Sequence, residues 1–391
     1  MNHSSNSYDV VIAGGGPAGT SAAIHLAARG ARVLLAEQKK FPRAKLCGEF
    51  ISPECLDHFE RLGVADRMMT AGGARLTQTV FYSRGGRSVN VPSEWFSSQP
   101  GALGLSRAQM DHKLLERARE AGVEVLEDTQ VCGLIIEERQ LRGVHLKSSD
   151  VVRYANALVT IDATGRTRAL ARRLNGEGKK SQRSRPPFVA FKAHLEDARV
   201  AAGACEIYFY PGGYGGLSSV ENGLSNLCFI ASAKDVRACA SDAERVMREV
   251  VTRNSRAAYT LAGARTRTEW LGVSLESFGR QEPVPADGVL TIGDAAAFID
   301  PFTGSGMLMA LESGEVAAGA IMDHLQSLQE GAPFAALTRD YRTIYCQRFA
   351  ARLRVCAMLR RAAFVPRLAE ASMLLFGASD RVRRALARAT R

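Results

Sequence analysis

Residues 8–37 read YDVVIAGGGPAGTSAAIHLAARGARVLLAE, and the order of residue types predicts strand, tight turn, helix, strand. Asp9 to Ala13 is a short apolar, β-branched run. It feeds into Gly14-Gly15-Gly16-Pro17-Ala18-Gly19, which fits G-x-G-x-x-G. In such a turn Gly14 permits the reversal, Gly16 lets the backbone approach a pyrophosphate, and Gly19 lets the helix pack close to the sheet. The helix N-terminus offers N–H groups and partial positive charge to that pyrophosphate. Glu37 ends the second strand, where an acid accepts hydrogen bonds from a ribose. The stretch predicts a dinucleotide site and does not separate FAD from NAD.

Composition sets the bounds. A chain of 391 residues with 46% hydrophobic content suffices for a sizeable core in two or three domains. The opening MNHSSNSYD lacks the pattern of a signal peptide, and no run approaches the roughly 18 apolar residues of a membrane span. Eight cysteines without C-x-x-C pairing read as reduced thiols, so a cytoplasmic location is expected. No histidine has metal-ligand spacing, and no metal is expected. The net charge is +11, but residues 342–391 hold twelve Arg, no Lys and only two acids, a net +10. The near-neutral body argues against nucleic-acid binding.

The texture of the chain suggests its layout. Pro53 to Leu62 reads as a helix stopped by Gly63, and Leu76 to Tyr82 with Arg87 to Val91 as a hairpin. Ser106 caps a helix ending at Gly122, and Gln130 to Lys147 forms a second hairpin. Ala157 to Ile161 is a buried strand running into Asp162-Ala163-Thr164-Gly165-Arg166. Short strands then dominate (Phe188–Leu195, Ala204–Tyr210, Gly215–Glu221, Ser225–Ser232), with one helix over Ser241–Arg253. Val289 to Ile292 returns to the parallel-sheet texture, and helices follow from Ser305 onward. The expected fold is α/β: a Rossmann-type nucleotide-binding domain (1–75, 101–180, 281–330), an inserted antiparallel β-sheet substrate domain (76–100, 181–280) and C-terminal basic helices (331–391).

The segment Thr291 to Gly306, TIGDAAAFIDPFTGSG, is a strand ending in Gly293-Asp294, a loop with Pro301, and a helix start at Gly304-Ser305-Gly306. Asp294 can accept a hydrogen bond from a ribityl hydroxyl, and the helix start offers N–H groups to an electron-rich ring edge. GGGPAG, the strand-end Glu, S-R-x-x-x-D (Ser106 to Asp111), D-A-T-G-R and this segment together resemble the FAD-dependent hydroxylase-like superfamily. That superfamily includes the p-hydroxybenzoate hydroxylases, flavin-dependent halogenases and geranylgeranyl reductases. The resemblance spans residues 8 to 325. K-x-C-G-E (Lys45 to Glu49), D-A-T-G-R and D-P-F-T-G-S-G look most like the geranylgeranyl-reductase branch. The hydroxylases' A-D-G has Thr164 in place of Asp, and the halogenases' W-x-W-x-I-P is missing.

The resemblance implies non-covalent FAD, with NAD(P)H as the expected electron donor. The cofactor site it implies is Gly14, Gly16, Pro17, Ala18, Gly19, Glu37, Gln38, Arg43, Cys47, Gly48, Arg107, Asp162, Gly165, Gly293, Asp294, Pro301, Gly304, Ser305 and Gly306. Cys47, Glu49 and Tyr214 are the candidates at the reacting centre. The Lys45 ammonium favours a Cys47 thiolate, and Glu49 either donates a proton or caps the helix that follows. The stretch Tyr208 to Gly216 resembles a cavity-lining segment of the reductases without its Trp and Lys. The implied function is two-electron hydride chemistry at the flavin N5 on an apolar isoprenoid, polyketide or aromatic small molecule. A monooxygenase using a flavin C4a-hydroperoxide is the alternative, ahead of a halogenase or a non-catalytic flavin-binding docking protein. The arginine-rich C-terminus is read as a solvated helical lid, or as a surface for an anionic membrane or an acidic carrier protein.

Overall fold

The computed structural model describes residues 7–99, 101–137, 140–174, 187–275, 278–363 and 379–391. The expected boundary at 180/181 lies outside them. The first strand, β1 (Ser7–Ala13), lies at the centre of a sheet, parallel to β2 (Val33–Ala36) on one side and to the strand Val151–Asp162 on the other. The strand Val289–Thr291 pairs parallel to Val151–Asp162. Register does the decisive work. Ala13 pairs with Ala36 and with Asp162, and Asp162 pairs with Thr291. The chain therefore leaves the same edge of the sheet at Gly14, Glu37, Ala163 and Ile292, and three motifs far apart in sequence become neighbours. In open α/β sheets this carboxyl edge is where ligands bind.

Helix α1 (Pro17–Ala27) is apolar on nearly every side, as a helix enclosed between sheet and helix must be. It packs on the long helix Gly306–Gln329 through small residues: a methyl group at Gly314 would lie 2.5 Å from Ala18 O and 2.8 Å from Ala22 N. Ser21 Oγ donates to Leu311 O at 2.8 Å across the same contact. Helix α2 (Pro53–Leu62) ends on Gly63 in the left-handed conformation, as its sequence predicts.

A second sheet runs in the order Arg265–Thr266, Phe188–Glu196, Ser225–Ser232, Gly213–Ser219, Ala204–Tyr210, Gln78–Tyr82, Ser88–Pro92, with Leu271–Leu275 also on Phe188–Glu196. It is not wholly antiparallel as expected, because Ala204–Tyr210 pairs parallel to Gln78–Tyr82. The strand expected over Gly215–Glu221 begins at Gly213, since Pro211-Gly212, with Gly212 at φ +83°, closes a tight turn. The single helix expected over Ser241–Arg253 is instead a series of short ones, Ala233–Ala238, Ala243–Glu249 and Ser255–Leu261. Asp242 and Asn254 side chains each accept two backbone N–H groups and start a new helix. These helices cover one face of the sheet, burying Tyr208, Tyr210, Leu217 and Phe229 against Val236, Val246 and Met247. By strand alternation the opposite face carries Ala190, Lys192 and His194, then Cys205, Ile207 and Phe209, then Tyr214 and Gly216. That face looks onto the carboxyl edge of the first sheet.

The helices Ala335–Ala363 and Asp380–Ala389 follow. Much of the expected basic surface is engaged internally: Arg348 and Arg352 both contact Glu312, Arg360 faces Asp300, and Arg391 reaches Glu54. Among the described residues no helix is long and apolar enough to cross a membrane.

Candidate functional site

A cleft of about 680 Å³ lies between the sheet edge and the second sheet. At one end it is lined by Gly14, Gly16, Pro17, Ala18, Glu37 and Gln38; at the other by Pro301, Gly304, Gly306 and Met307. Arg43, Cys47, Gly48, Arg107, Gly165, Gly293 and Asp294 lie along it. Sixteen of the nineteen sequence-predicted cofactor residues thus share one wall.

The other three have different uses. Gly19 lies beneath the turn, where a methyl group would be 1.9 Å from Gly14 O; its role is close packing. Asp162 is fully buried, and its carboxylate accepts from Thr164 N, Thr164 Oγ1, Leu170 N and Ala171 N. It shapes the D-A-T-G-R turn and does not face the cleft. Ser305 is fully buried with its hydroxyl on Thr303 Oγ1, so the cleft is bounded by its glycine neighbours instead.

The cationic part of the cleft is built around α1. A methyl group at Gly16 would meet Arg43 Nη2 and Arg107 Nη2, each at 3.9 Å, so two guanidinium groups flank the glycine turn without filling it. Asp111, fully buried, holds both: Arg107 through two 2.7 Å hydrogen bonds and Arg43 at 3.3 Å. Arg43 Nε and Nη1 are buried without a hydrogen-bond partner. No side chain caps α1 at Gly16, or the Gly306–Gln329 helix at Ser305, so both helix N-termini keep donors for a ligand. Glu37 accepts Gly15 N–H at 2.8 Å and Lys39 N–H at 3.0 Å, which fixes its carboxylate at the cleft wall. Burial, then the charges of Arg107 and Arg43, pushes the Lys45 ammonium below its usual range. Burial raises the Asp294 carboxyl, against Arg166, Lys45 and Arg107.

Of the three candidates for chemistry, all line the cleft. Tyr214 is buried, and its hydroxyl donates to Asp300 Oδ1. Cys47 Sγ accepts the Glu49 N–H at 3.4 Å. Glu49 does not cap α2 as expected; it accepts the Arg107 N–H, at the first turn of the helix Arg107–Glu120, at 2.9 Å. It also binds Lys192 and His194, two residues with no sequence motif. The available signal was the strand alternation FVAFKAHLE (Phe188–Glu196), which puts Lys192 and His194 on one face. Within Tyr208 to Gly216, Phe209, Tyr214 and Gly216 line the cleft, whereas Tyr208 and Tyr210 pack the opposite face.

Residues 7–326 match the family described as FAD binding domain. Digeranylgeranylglycerophospholipid reductase 1 of Methanococcoides burtonii is 28% identical over 327 residues, which cover 80% of this chain and 75% of that protein. The menaquinone reductase of Mycolicibacterium smegmatis is 27% identical over 322 residues, 79% of this chain and 75% of that one. A flavin-dependent brominase has the same fold, with a TM-score of 0.80 at 21% identity, covering 98% of this chain and 93% of that one. The cleft fits FAD on its own features: the open space at Gly16 between two guanidinium groups, the buried Arg43 Nε without a hydrogen-bond partner, and the two uncapped helix N-termini.

Proposed function

Because the chain belongs to the FAD binding domain family and is an FAD-dependent oxidoreductase, we propose that it saturates carbon–carbon double bonds of an isoprenoid substrate. The observation that carries this reading is the cleft face of the second sheet. Phe81, Val91, Ile207, Phe209 and Ile230 form a largely apolar wall facing the flavin-binding end. Such a wall suits a hydrocarbon chain and offers little to a polar aromatic acid. The names of the relatives, reductases of geranylgeranyl lipids and of menaquinone, support the same class.

In this reading Arg43 and Arg107 would hold the pyrophosphate, Glu37 the ribose and Asp294 the ribityl chain. The N-terminus of the Gly306–Gln329 helix would hold the flavin ring. Bound FAD supplies a centre that exchanges hydride with donor and substrate. The second sheet orients the alkene and excludes water. Reduction also consumes a proton, and the wall holds two sources: the Tyr214 hydroxyl on Asp300 and the Cys47 thiol. NAD(P)H is the proposed donor.

Anaerobic mixing of the reduced enzyme with a geranylgeranyl lipid tests the proposal. Flavin absorbance should return as the lipid gains two hydrogen atoms by mass. Oxygen from O₂ in the product of an aerobic reaction would instead assign a hydroxylase.

A further inference from the structure

Glu49 belongs to the cofactor-side loop, yet the second sheet holds its carboxylate. Lys192 Nζ donates to Oε1 at 2.9 Å, and His194 Nε2 lies 2.6 Å from Oε2. Glu49 is fully buried, and Lys192 is 3% exposed. Its backbone stands at φ +53°, a left-handed conformation that costs a non-glycine residue free energy. Burial raises the carboxyl's pKa, but the His194 hydrogen bond and the Lys192 charge prevail and hold it below the usual range. A buried ion pair costs desolvation that an apolar contact of the same size avoids, so fold stability alone does not explain it.

The connections of Glu49 say what it does. Oε1 also accepts the Arg107 N–H, which belongs to the first turn of the Arg107–Glu120 helix and lacks an intrahelical partner. Its own N–H donates to Cys47 Sγ, while Asn226 Nδ2 from the second sheet donates to Cys47 O at 3.1 Å. The groups that act on the carboxylate are thus the Arg107 N–H on the helix, Lys192 and His194 on one strand, and Cys228 on the next, while Cys47 and Asn226 hold the loop that carries it. We propose that Lys192 and His194 are positioning residues that, through Glu49, fix the first turn of that helix and aim the Arg107 guanidinium at the N-terminus of α1. The substrate sheet thereby sets the cofactor's phosphate site. The inference requires FAD binding and is independent of the reaction proposed above.

Full-length flavin-free protein titrated with FAD, followed by quenching of flavin fluorescence, tests it without turnover. Lys192→Met should weaken FAD binding about tenfold and His194→Gln about threefold. Either change combined with Arg107→Lys should cost less than the product of the separate losses, because both act on one guanidinium. Lys192→Arg, which keeps the charge, should bind FAD within about twofold of the parent. Unchanged affinity in Lys192→Met and His194→Gln, losses that multiply with Arg107→Lys, or a Lys192→Arg loss as large as that of Lys192→Met would each overturn the proposal. Should Lys192→Met fail to fold by circular dichroism, His194→Gln and its combination with Arg107→Lys decide the matter alone.

Discussion

Arg107 Nε and Nη2 each lie 2.7 Å from an oxygen of Asp111, and Arg43 Nη1 approaches the same carboxylate at 3.3 Å. One buried anion thus holds two cations beside the glycine turn, and Glu37 stands 3.6 Å from the other side of Arg43. Asp111→Asn leaves Arg107 without its anion and Arg43 with Glu37 alone, and should destabilise the flavin-free protein by about 3 kcal/mol in urea unfolding. Saturating FAD should restore more stability to the variant than to the parent, since the pyrophosphate supplies the missing charge. Equal gains in the two proteins would show that the pyrophosphate does not sit at this pair.

The glycines of the turn separate fold from cofactor. A methyl group at Gly14 would lie 2.4 Å from Ala163 O at φ +111°, and one at Gly19 would lie 1.9 Å from Gly14 O. Gly14→Ala and Gly19→Ala should each cost folding stability beyond about 2 kcal/mol. At Gly16 the nearest atoms stand at 3.9 Å, so Gly16→Ala should fold with stability within about 1 kcal/mol of the parent. Its methyl group would occupy the space a phosphate needs, and FAD affinity should fall sharply. Flavin retention by Gly16→Ala on gel filtration would contradict the assignment of that space.

Local chemistry made the sheet edge legible. The turn glycines, Glu37 and the Gly293-Asp294 strand end are each written in neighbouring residues, so their places at the cleft follow from type and spacing. Three features are not written that way. Asp162 looks like a ligand because it ends a strand beside a glycine, but the backbone N–H groups of residues 164, 170 and 171 claim its oxygens first. Glu49 looks like a cap for the helix next to it, yet its partners lie 58, 143 and 145 residues away. Tyr208 and Tyr214 are equally aromatic, and only the strand register around Pro211-Gly212 puts one in the core and the other at the cleft.

The cysteines offer a chemical map of the cleft. Burial pushes the Cys55 and Cys205 thiols up to about 12, which leaves almost no thiolate at pH 8. Cys47, Cys132 and Cys346 are partly accessible. Brief iodoacetamide treatment of flavin-free protein should label these three, and FAD should protect Cys47 alone because it lines the cleft. Peptide mass spectrometry reads the outcome. Labelling of Cys47 unaffected by FAD would place the cofactor elsewhere.

Tyr214 differs from the other wall aromatics in carrying a hydroxyl, and Asp300, buried beside it, accepts a hydrogen bond from that hydroxyl. Asp300 also faces Arg360 Nε at 3.4 Å, so the pair stays neutralised when the tyrosine is replaced. Tyr214→Phe should therefore fold and bind FAD normally. Reoxidation of the reduced enzyme by a geranylgeranyl lipid should slow by about a hundredfold if Tyr214 gives the proton. An unchanged rate would leave Tyr214 a packing residue and turn attention to Cys47.

The last helix, Asp380–Ala389, closes the cleft from outside. Arg388 Nε donates to Trp95 O at 2.9 Å, and Arg383 and Arg384 stand over the Trp95 ring at 5.4 and 5.0 Å. Arg391 Nη1 donates to Thr303 O at 2.9 Å, while Leu386, Ala387 and Thr390 form part of the wall. Trp95 is only 5% exposed, and it senses this contact directly. Removing residues 379–391 should shift tryptophan emission to longer wavelength, a change that Trp95→Phe abolishes while Trp270 remains. The same truncation removes apolar wall without touching Tyr214, Cys47 or the glycine turn. It should raise KM for a lipid substrate more than it lowers kcat, because uniform binding is lost and the reacting groups stay in place. A fall in kcat at constant KM would mean that the helix acts on the chemistry, through Arg391 and the Thr303 loop, and not as a cover.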